Sequence, residues 1–423
     1  MSEKKQFWGA TFFTATHSGV KLLINYILGK VAAITLGPAG LGLLGQFQSL
    51  ALIVQNFSNG AIHNGIIKGL AIADSDAEKR NVVKTAFTIS VVLGLFCGII
   101  VLCLAPALGN YFLSSNNYRV ALYVLAGCSV FFSLNVLFSS VFNGFKDYRS
   151  ITVFNIIQSI CNLVLFVPMT KYWGINGALI SVVLFQALAF VIGYLLFRKK
   201  YNDIFKMLTI GIDKKIARQL AEYSLMTLFT VTTFSTSQLL IRSHLIKVNS
   251  IDAAGLWEGL NRISNFYLYF IAFLITAYVL PRYAEEKDYS KLKSQLSFNL
   301  TRMAGLSFLI IAAVFILRKI LIRIVFSPKF IVLEDVMFWH LAGDLLKIAC
   351  WIFSNFLVAR KYTRAFLITD FIFHALFTFC VYQFCTNLSM VTQAYAFSAL
   401  IYLVIIIPLS YFLLQKEFRH EKN

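Results

Sequence analysis

The sequence predicts an all-α polytopic membrane protein, and three observations lead to this fold class. Hydrophobic residues make up 58% of the 423 residues, charged residues only 13%, and the mean hydropathy is +0.73. No soluble domain of this length has such a composition. The apolar stretches run without alternation for about 20 residues or more, the length that an α-helix needs to cross about 30 Å of hydrocarbon. A transmembrane β-barrel is excluded, because its strands alternate apolar and polar residues over about 10 positions.

Twelve apolar stretches follow one another along the chain, and each is predicted to be a transmembrane helix. Six of them fall in a predicted N-terminal lobe (1–198) and six in a C-terminal lobe (219–414). A basic cytoplasmic linker (199–218) joins the lobes, and a cytoplasmic tail (415–423) ends the chain. In order, the predicted spans are 8–29, 42–70, 85–108, 118–142, 151–170, 176–197, 219–246, 254–281, 296–317, 333–358, 364–385 and 391–414.

The distribution of basic residues predicts that both termini are cytoplasmic. With the N-terminus inside, 25 of the 38 Lys and Arg residues fall on inner connections and 8 on outer ones, as the positive-inside rule requires. Four of those eight lie between Arg318 and Lys329, a segment predicted to form an amphipathic helix at the outer interface. The N-terminus has no short apolar region followed by a cleavage site, so the first stretch is expected to remain as a helix.

An internal repeat relates the two halves. The tripeptide AGL occurs at 39–41 and again at 254–256, an offset of 215, and Lys146 and Arg149 match Lys361 and Arg364 at the same offset. Six helices in each half is an even number, so both halves have the same orientation. The repeat is therefore predicted to be parallel, with a pseudo-two-fold relation between the lobes.

Several functional classes are disfavoured by features that the sequence lacks. No predicted loop exceeds about 20 residues, and no Walker A motif is present, so ATP hydrolysis by this chain is not expected. The seven cysteines lie in or beside apolar stretches without zinc-ligand spacing, which is typical of packing residues. We expect no metal and no cofactor. The net charge of +19 follows membrane topology and does not indicate a nucleic-acid partner.

Five basic residues nevertheless fall inside the apolar stretches. Each such charge costs roughly 2.5–3.5 kcal/mol at the centre of a bilayer, so the residues are expected to face a polar cavity. Because they are spread over both halves, the sequence predicts a cationic cavity at the seam between the lobes that attracts an anion such as pyrophosphate. The predicted pyrophosphate ligands are Lys21, Lys68, Arg242, Arg262 and Lys347.

Polar side chains recur at helical spacing beside these cations and so share their helix faces. Four residues are predicted to serve ion coupling or to act as counter-charges: Asp344, Glu258, His17 and His63. Four are predicted to contact sugars: Gln48, Asn59, Asn265 and Trp351. Spans four and five add further polar groups: Asn135, Ser139, Asn143, Asn155, Gln158 and Asn162.

Structural alternatives remain open for some of these residues. Lys68 and Arg242 lie near helix ends, where a long side chain can reach the headgroups. Asp344 and Lys347 are three residues apart and could neutralise each other within one helical turn. His17 and His63 could be satisfied hydrogen-bonding groups rather than proton carriers.

Several sequence blocks resemble one known family. These are LGKVAAITLGPAGLGLLGQFQSL (28–50), NGIIKG (64–69), FNGFKD (142–147), AAGLWEGLNRISNFYLYF (253–270), VLPRY (279–283) and WHLAGDLLKIACW (339–351). The chain resembles the Wzx-type flippases of the multidrug/oligosaccharidyl-lipid/polysaccharide (MOP) exporter superfamily, in the branch that carries lipid III and O-antigen units. The blocks lie in both halves, so the resemblance covers nearly the whole chain.

The resemblance implies a V-shaped fold like that of the MATE transporters. It also implies a bacterial inner-membrane protein that moves undecaprenyl-pyrophosphate-linked oligosaccharide from the cytoplasmic to the periplasmic leaflet. Alternating access would be coupled to H⁺ or Na⁺. The expected partners are the lipid-linked oligosaccharide, membrane lipids, and a glycan polymerase and chain-length regulator of the same pathway.

Two other functions are weighed against this one. A multidrug or cation antiporter of the same superfamily would present carboxylates to its substrate, and only Asp344 and Asp370 are deep acids here. A membrane enzyme, such as a glycan polymerase or a lipid-dependent glycosyltransferase, would need a sizeable outer loop or an exposed acid near its start. The first outer connection, 30–41, contains no acid.

Overall fold

The protein is helical over almost all of the chain in the computed structural model, which describes residues 3–113, 116–198, 200 and 202–420. The helices, in order, are α1 (Glu3–Ser58), α2 (His63–Ile72), α3 (Asp76–Phe112), α4 (Arg119–Gly144), α5 (Tyr148–Phe197), α6 (Asn202–Met207), α7 (Lys214–Val248), α8 (Ile251–Leu274), α9 (Leu280–Glu285), α10 (Tyr289–Ile316), α11 (Arg318–Val325), α12 (Leu333–Ala359), α13 (Thr363–Phe384) and α14 (Leu388–His420).

Ten helical segments of the described chain are long and apolar enough to cross a membrane. Two of them, of 57 and 50 residues, are about twice the length that one crossing needs. Each is broken near its middle by a glycine with a left-handed backbone, Gly37 (φ 67°) and Gly174 (φ 56°), a conformation that glycine adopts without a steric penalty. Dividing both segments at these glycines gives twelve crossings. The prediction of an all-α, multi-pass membrane protein is therefore confirmed.

The chain forms two compact units. Unit 1 contains Met1–Leu36 and Leu44–Ser235, and unit 2 contains Gly37–Leu43 and Thr236–Asn423. In unit 1, buried aliphatic side chains of α2, α3 and α4 form a core that includes Ile66, Val83 and Leu137. In unit 2, large aromatic side chains are fully buried, among them Trp257 and Phe353. The predicted boundaries at 198, 218 and 414 stay predictions.

The repeat at an offset of 215 is visible in the backbone. Lys146 and Lys361 both have a positive φ, 56° and 60°, which is uncommon for residues other than glycine. In each case the amide of the following residue donates to the carbonyl five residues earlier, at 2.9 and 2.8 Å. Both lysines lie where the fourth crossing of a unit turns into the fifth. The same unusual turn therefore occurs at equivalent places in both units.

The second crossing of each unit is also interrupted at an equivalent place. In unit 1, α1 ends at Ser58, and a turn with positive φ at Gly60 and Ala61 leads into α2. In unit 2, α8 continues through a π-helical segment, Ile275–Val279, into α9. Non-α segments of this kind are frequent at functional sites. As described below, residues close to each interruption line a cavity.

The segment after α5 docks against unit 1. The hydroxyl of Thr88 on α3 accepts from the amide of Gly211 (2.9 Å), and the amide of Asp213 donates to the hydroxyl of Thr85 (3.1 Å). Lys200 donates to the carboxylate of Asp147 at 2.6 Å. The basic segment is thus held by protein hydrogen bonds.

The basic segment between Arg318 and Lys329 contains a separate short helix, α11. Exposed apolar side chains such as Ile320 and Ile324 lie on one side of this helix, and Lys319 pairs with Glu334 at 3.8 Å. Such an amphipathic pattern suits a helix in the membrane interface, which stays a prediction.

Candidate functional site

Unit 1 contains a cavity of about 350 Å³ whose wall is rich in side-chain amides. We call it the amide cavity. Its lining residues are Leu52, Gln55, Asn56, Asn59, His63, Ile67, Asn135, Val136, Ser139, Ser140, Asn143, Ile151, Gln158 and Gln186. The structure describes all fourteen, and none of them is Asp, Glu, Lys or Arg. The cavity therefore offers many hydrogen-bonding groups and no fixed charge.

The helical spacing of these residues explains how they meet. Gln55 and Asn56 lie in the last turn of α1, four and three residues before Asn59, which follows the helix, so both lie near the side of the chain where Asn59 is. On α4, Asn135, Ser139 and Asn143 recur every four residues. These two polar faces need partners in a largely apolar unit, and the cavity is where they are brought together.

Unit 2 contains a cavity of about 270 Å³ that includes charged and aromatic side chains. We call it the Lys347 cavity. Its lining residues are Ala272, Ile275, Thr276, Lys347, Trp351, Ser354, Asn355, Val358, Phe366, Asp370, Phe373, His374 and Tyr402. They come from α8 and the π-helical segment, from α12 and α13, and from α14.

Aromatic rings surround the ammonium group of Lys347. Its Nζ lies 5.8 Å from the ring centroids of Trp351, Phe373 and Tyr395, a distance at which ring and cation attract each other. Asp370 and His374, one turn apart on α13, have a carboxylate oxygen and a ring nitrogen 3.9 Å apart. The cavity thus combines a cation, an acid and a histidine in an aromatic wall.

The two cavities occupy equivalent positions of the repeat. Six lining residues of the amide cavity correspond to six of the Lys347 cavity at the offset of 215. The pairs are Val136 and Trp351, Ser139 and Ser354, Ser140 and Asn355, Asn143 and Val358, Ile151 and Phe366, and Gln158 and Phe373. One architectural pocket is therefore present in both units, with different chemistry in each.

Asp344 is buried at the centre of a hydrogen-bond network in unit 2, with 1% of its surface exposed. One carboxylate oxygen accepts from the hydroxyls of Tyr267 and Ser264 (2.5 Å for Ser264), and the other accepts from Tyr395 at 2.8 Å. His340 Nε2 lies 2.9 Å from the Ser264 hydroxyl. We call these five residues the Asp344 network. It joins α8, α12 and α14 through one carboxylate.

Glu258 forms ion pairs with two arginines in unit 2. Its carboxylate oxygens lie 3.0 Å from Arg242 and 3.1 Å from Arg262. Arg242 is 2% exposed, and its partner Gln238 also accepts from the indole of Trp257 at 3.0 Å. The three charged groups together carry one net positive charge rather than two.

The remaining predicted residues lie in less enclosed surroundings. His17 is half-buried on α1, and four residues are exposed: Lys21, Gln48, Lys68 and Asn265. Asn59 and His63 line the amide cavity, whereas Lys347 and Trp351 line the Lys347 cavity. The structure thus places predicted residues in four groups: two cavities, one carboxylate network and one ion-pair cluster.

The described residues contain no group of His, Cys, Asp and Glu suited to a metal ion.

Several residues of these groups were not singled out from the sequence. Tyr267, Ser264 and Tyr395 enclose Asp344, and Gln186 completes the amide cavity. The offset of 215 did not mark them, since it pairs Tyr267, Tyr395 and Gln186 with the apolar residues Leu52, Ile180 and Ile401.

Comparison with known proteins identifies the family. The model of the polysaccharide biosynthesis protein family matches residues 7–287. The chain belongs to this family. It is 28% identical to the lipid III flippase of Escherichia coli (strain K12) over 369 residues, which cover 85% of this chain and 87% of the relative. The predicted resemblance to Wzx-type flippases is thereby confirmed.

Solved structures of the MOP superfamily share the fold. An inward-facing multidrug resistance MATE family transporter matches with a TM-score of 0.78 at 16% identity, covering 94% of this chain and 95% of that one. The same family in its outward-facing conformation matches with a TM-score of 0.66 at 15% identity, covering 98% and 96%. At these identities the likeness shows the MATE-like fold alone.

Proposed function

We propose that this family member is a flippase that moves undecaprenyl-pyrophosphate-linked oligosaccharide, of the O-antigen or lipid III type, from the cytoplasmic to the periplasmic leaflet. The observation that carries the proposal is Lys347, a cation at the wall of an aromatic cavity in a membrane-spanning unit. The family match and the similarity to a lipid III flippase support it. The protein would lie in the bacterial inner membrane with both termini in the cytoplasm.

Lys347 is our leading candidate for the pyrophosphate contact. At about 4 Å and an effective dielectric constant of about 20, one phosphate–cation contact is worth about 4 kcal/mol before desolvation. Arg242 and Arg262 would add one net charge, because Glu258 neutralises the other. Lys21 and Lys68, which are exposed on unit 1, stay candidates for steering the headgroup.

Sugar contacts would come from aromatic and amide side chains. Trp351 offers an aromatic face beside Lys347, so that a sugar ring could stack next to the phosphate group. Asn59 lies in the amide cavity, whereas Gln48 and Asn265 are exposed and stay candidates at the surface.

The Asp344 network is our candidate for ion coupling. Three hydroxyl groups donate to the carboxylate. Binding of H⁺ would give the carboxyl group an O–H donor where it now only accepts, and Na⁺ would compete with the hydroxyls for its lone pairs, so either ion would change the hydrogen-bond pattern. That change would reach α8, α12 and α14 together, and an ion that binds two conformations unequally shifts their populations. Glu258, His17 and His63 are retained as counter-charges or secondary proton carriers.

Transport by purified protein tests the proposal. Full-length protein in proteoliposomes is given a fluorescent undecaprenyl-pyrophosphate-linked oligosaccharide, and translocation is followed by quenching from the outer face. We expect protein-dependent translocation that is accelerated by a gradient of H⁺ or Na⁺. Translocation no faster than in protein-free vesicles, with correctly inserted protein, would contradict the proposal.

A multidrug or cation antiporter is the second candidate. Asp370 favours it, since this carboxylate lines an aromatic cavity that could accept an organic cation. If overexpression of the protein conferred drug resistance and Asp370→Asn abolished that resistance, antiport would be supported over flipping. For a membrane enzyme, product formation by purified protein in liposomes would be required.

A glycan polymerase and a chain-length regulator are the partners we expect for the flippase.

A further inference from the structure

Two residues that line the amide cavity have buried acceptor atoms without a protein partner. Asn59 and Asn135 are each 3% exposed, and the side-chain oxygen of each forms no hydrogen bond within the protein. Their amide groups are both held in place from the nitrogen side. Asn59 donates to the Gln55 carbonyl at 2.7 Å, and Asn135 donates to the backbone and side-chain oxygens of Gln186, both at 2.8 Å.

This orientation leaves two acceptor atoms without a hydrogen bond in the wall of the amide cavity. A buried polar atom without a partner costs about 1–3 kcal/mol, and the amide cavity includes two residues with such atoms in its wall. Since the amide nitrogens are already engaged, rotating either side chain would exchange one unsatisfied atom for another. Both oxygens are covered by the surrounding side chains, so a hydroxyl or amide group of a bound molecule would reach them once the cavity wall adjusts to admit it.

The equivalent pockets of the repeat differ in charge. Charged side chains line the Lys347 cavity, whereas no Asp, Glu, Lys or Arg lines the amide cavity. The charged or titratable residues of the Lys347 cavity are Lys347, Asp370 and His374, and their counterparts at the offset of 215 are Phe132, Asn155 and Ser159. His63 is the one titratable residue that lines the amide cavity. While His63 is neutral, a charged group entering the cavity finds no opposite charge among the lining residues, and burying it is costly. The wall selects for an uncharged molecule.

The volume and the lining residues of the amide cavity indicate which class of molecule it can bind. A volume of about 350 Å³ lies near the lower end of the roughly 300–1,000 Å³ that is typical of small-molecule sites. Nine uncharged amide and hydroxyl side chains line it together with Leu52, Ile67, Val136 and Ile151. A sugar ring matches this wall, because it has hydroxyls that both donate and accept at its rim and C–H groups on its faces.

We propose that the amide cavity of unit 1 is a subsite for an uncharged sugar of the transported glycan, separate from the cationic group that holds the phosphate. The assignment of the sugar to a transported glycan rests on the proposed flippase function. The subsite itself is a binding property that can be measured without transport.

Saturation-transfer NMR on full-length protein in nanodiscs tests the subsite. The probes are a panel of neutral hexoses and N-acetylhexosamines, with glucuronic and galacturonic acids as charged counterparts. We expect saturation transfer to at least one neutral sugar and none above background to the uronic acids. Gln158→Leu and Ser139→Ala should each weaken binding by about threefold to tenfold, the effect of one lost neutral hydrogen bond.

Two controls separate the subsite from folding and from transport. Gln393→Leu changes an exposed glutamine of α14 that does not line the cavity, and it should bind sugar as the unaltered protein does. Lys347→Gln should keep sugar binding while translocation slows. Neutral-sugar binding that is unaffected by Gln158→Leu and Ser139→Ala, uronic-acid binding of equal strength, or no binding of any neutral sugar would overturn the proposal. Sugar binding without translocation would instead contradict the flippase function and leave the subsite standing.

Discussion

The amide cavity and the Lys347 cavity are built from the same part of the repeat but carry different chemistry. Both lie beside an interrupted second crossing, and both use the same face of the fourth crossing. In unit 1 that face carries Asn135 and Ser139, whereas in unit 2 it carries Lys347 and Trp351. A duplicated architecture can thus supply a neutral and a charged binding surface without changing the helices that form them.

The difference extends to how each unit is held together. Apart from its cavity, unit 2 contains a buried carboxylate network and an ion-pair cluster. In unit 1 the position equivalent to Asp344 is Ser129, whose hydroxyl donates to the carbonyls of Gly94 and Ala126. Buried charges are costly to separate from their partners. Unit 2 should therefore be more sensitive than unit 1 to substitutions of its polar residues.

The largest expected effect is that of Glu258→Gln. This substitution leaves Arg242 and Arg262 without their carboxylate, and Arg242 is almost fully buried. Removing one member of a buried ion pair costs about 3–5 kcal/mol. Thermal unfolding in nanodiscs should show a marked loss of stability, partly restored in the double variant with Arg242→Gln. An unchanged unfolding temperature in the single variant would show that the cluster does not stabilise unit 2.

Lys347→Gln should affect transport more than folding. A charged hydrogen bond contributes about 1.5–3 kcal/mol, so loss of one phosphate contact should slow translocation by about tenfold to a hundredfold. Lys361→Gln is the matched control, since Lys361 lies in an exposed turn of the same unit. Initial rates in proteoliposomes, normalised to inserted protein, give the comparison. Equal rates for the two variants would remove Lys347 from the proposed phosphate site.

Asp344→Asn should abolish the response to an ion gradient. The amide cannot take up a proton, and its NH₂ group would face hydroxyls that donate to the carboxylate in the present network. Translocation with an imposed H⁺ or Na⁺ gradient should fall to the rate without one. Asp370→Asn, which changes an acid that lines the Lys347 cavity, is the control. A variant that still responds to both gradients would exclude Asp344 as the coupling residue.

The fold was predictable because its signals can be read from the sequence without knowing how the helices pack. Apolar length indicates a crossing, and Lys146 and Lys361 mark the repeat at a fixed offset. The polar face of α12 was predictable for the same reason, since His340, Asp344 and Lys347 are three or four residues apart on one helix.

The partners of these residues were harder to predict because they lie on other helices. Tyr267 and Tyr395 reach Asp344 from 77 and 51 residues away, and tyrosine is common on apolar helix faces. The sharing of Glu258 between Arg242 and Arg262 depends on how α7 packs against α8, which periodicity within one helix does not determine. The sequence thus predicted single polar faces but not how they combine.

The smallest effects come from an equivalent pair of serines, Ser139 and Ser354. In unit 2 the hydroxyl of Ser354 lies 2.9 Å from that of Tyr402 within the buried wall, so Ser354→Ala should cost about 1 kcal/mol of stability. Ser139 is half-buried at the amide cavity, so Ser139→Ala should change stability less and weaken sugar binding instead. Paired unfolding and saturation-transfer measurements distinguish the two. Equal losses of stability in the two variants, with sugar binding unchanged, would contradict the proposed sugar-binding role of Ser139.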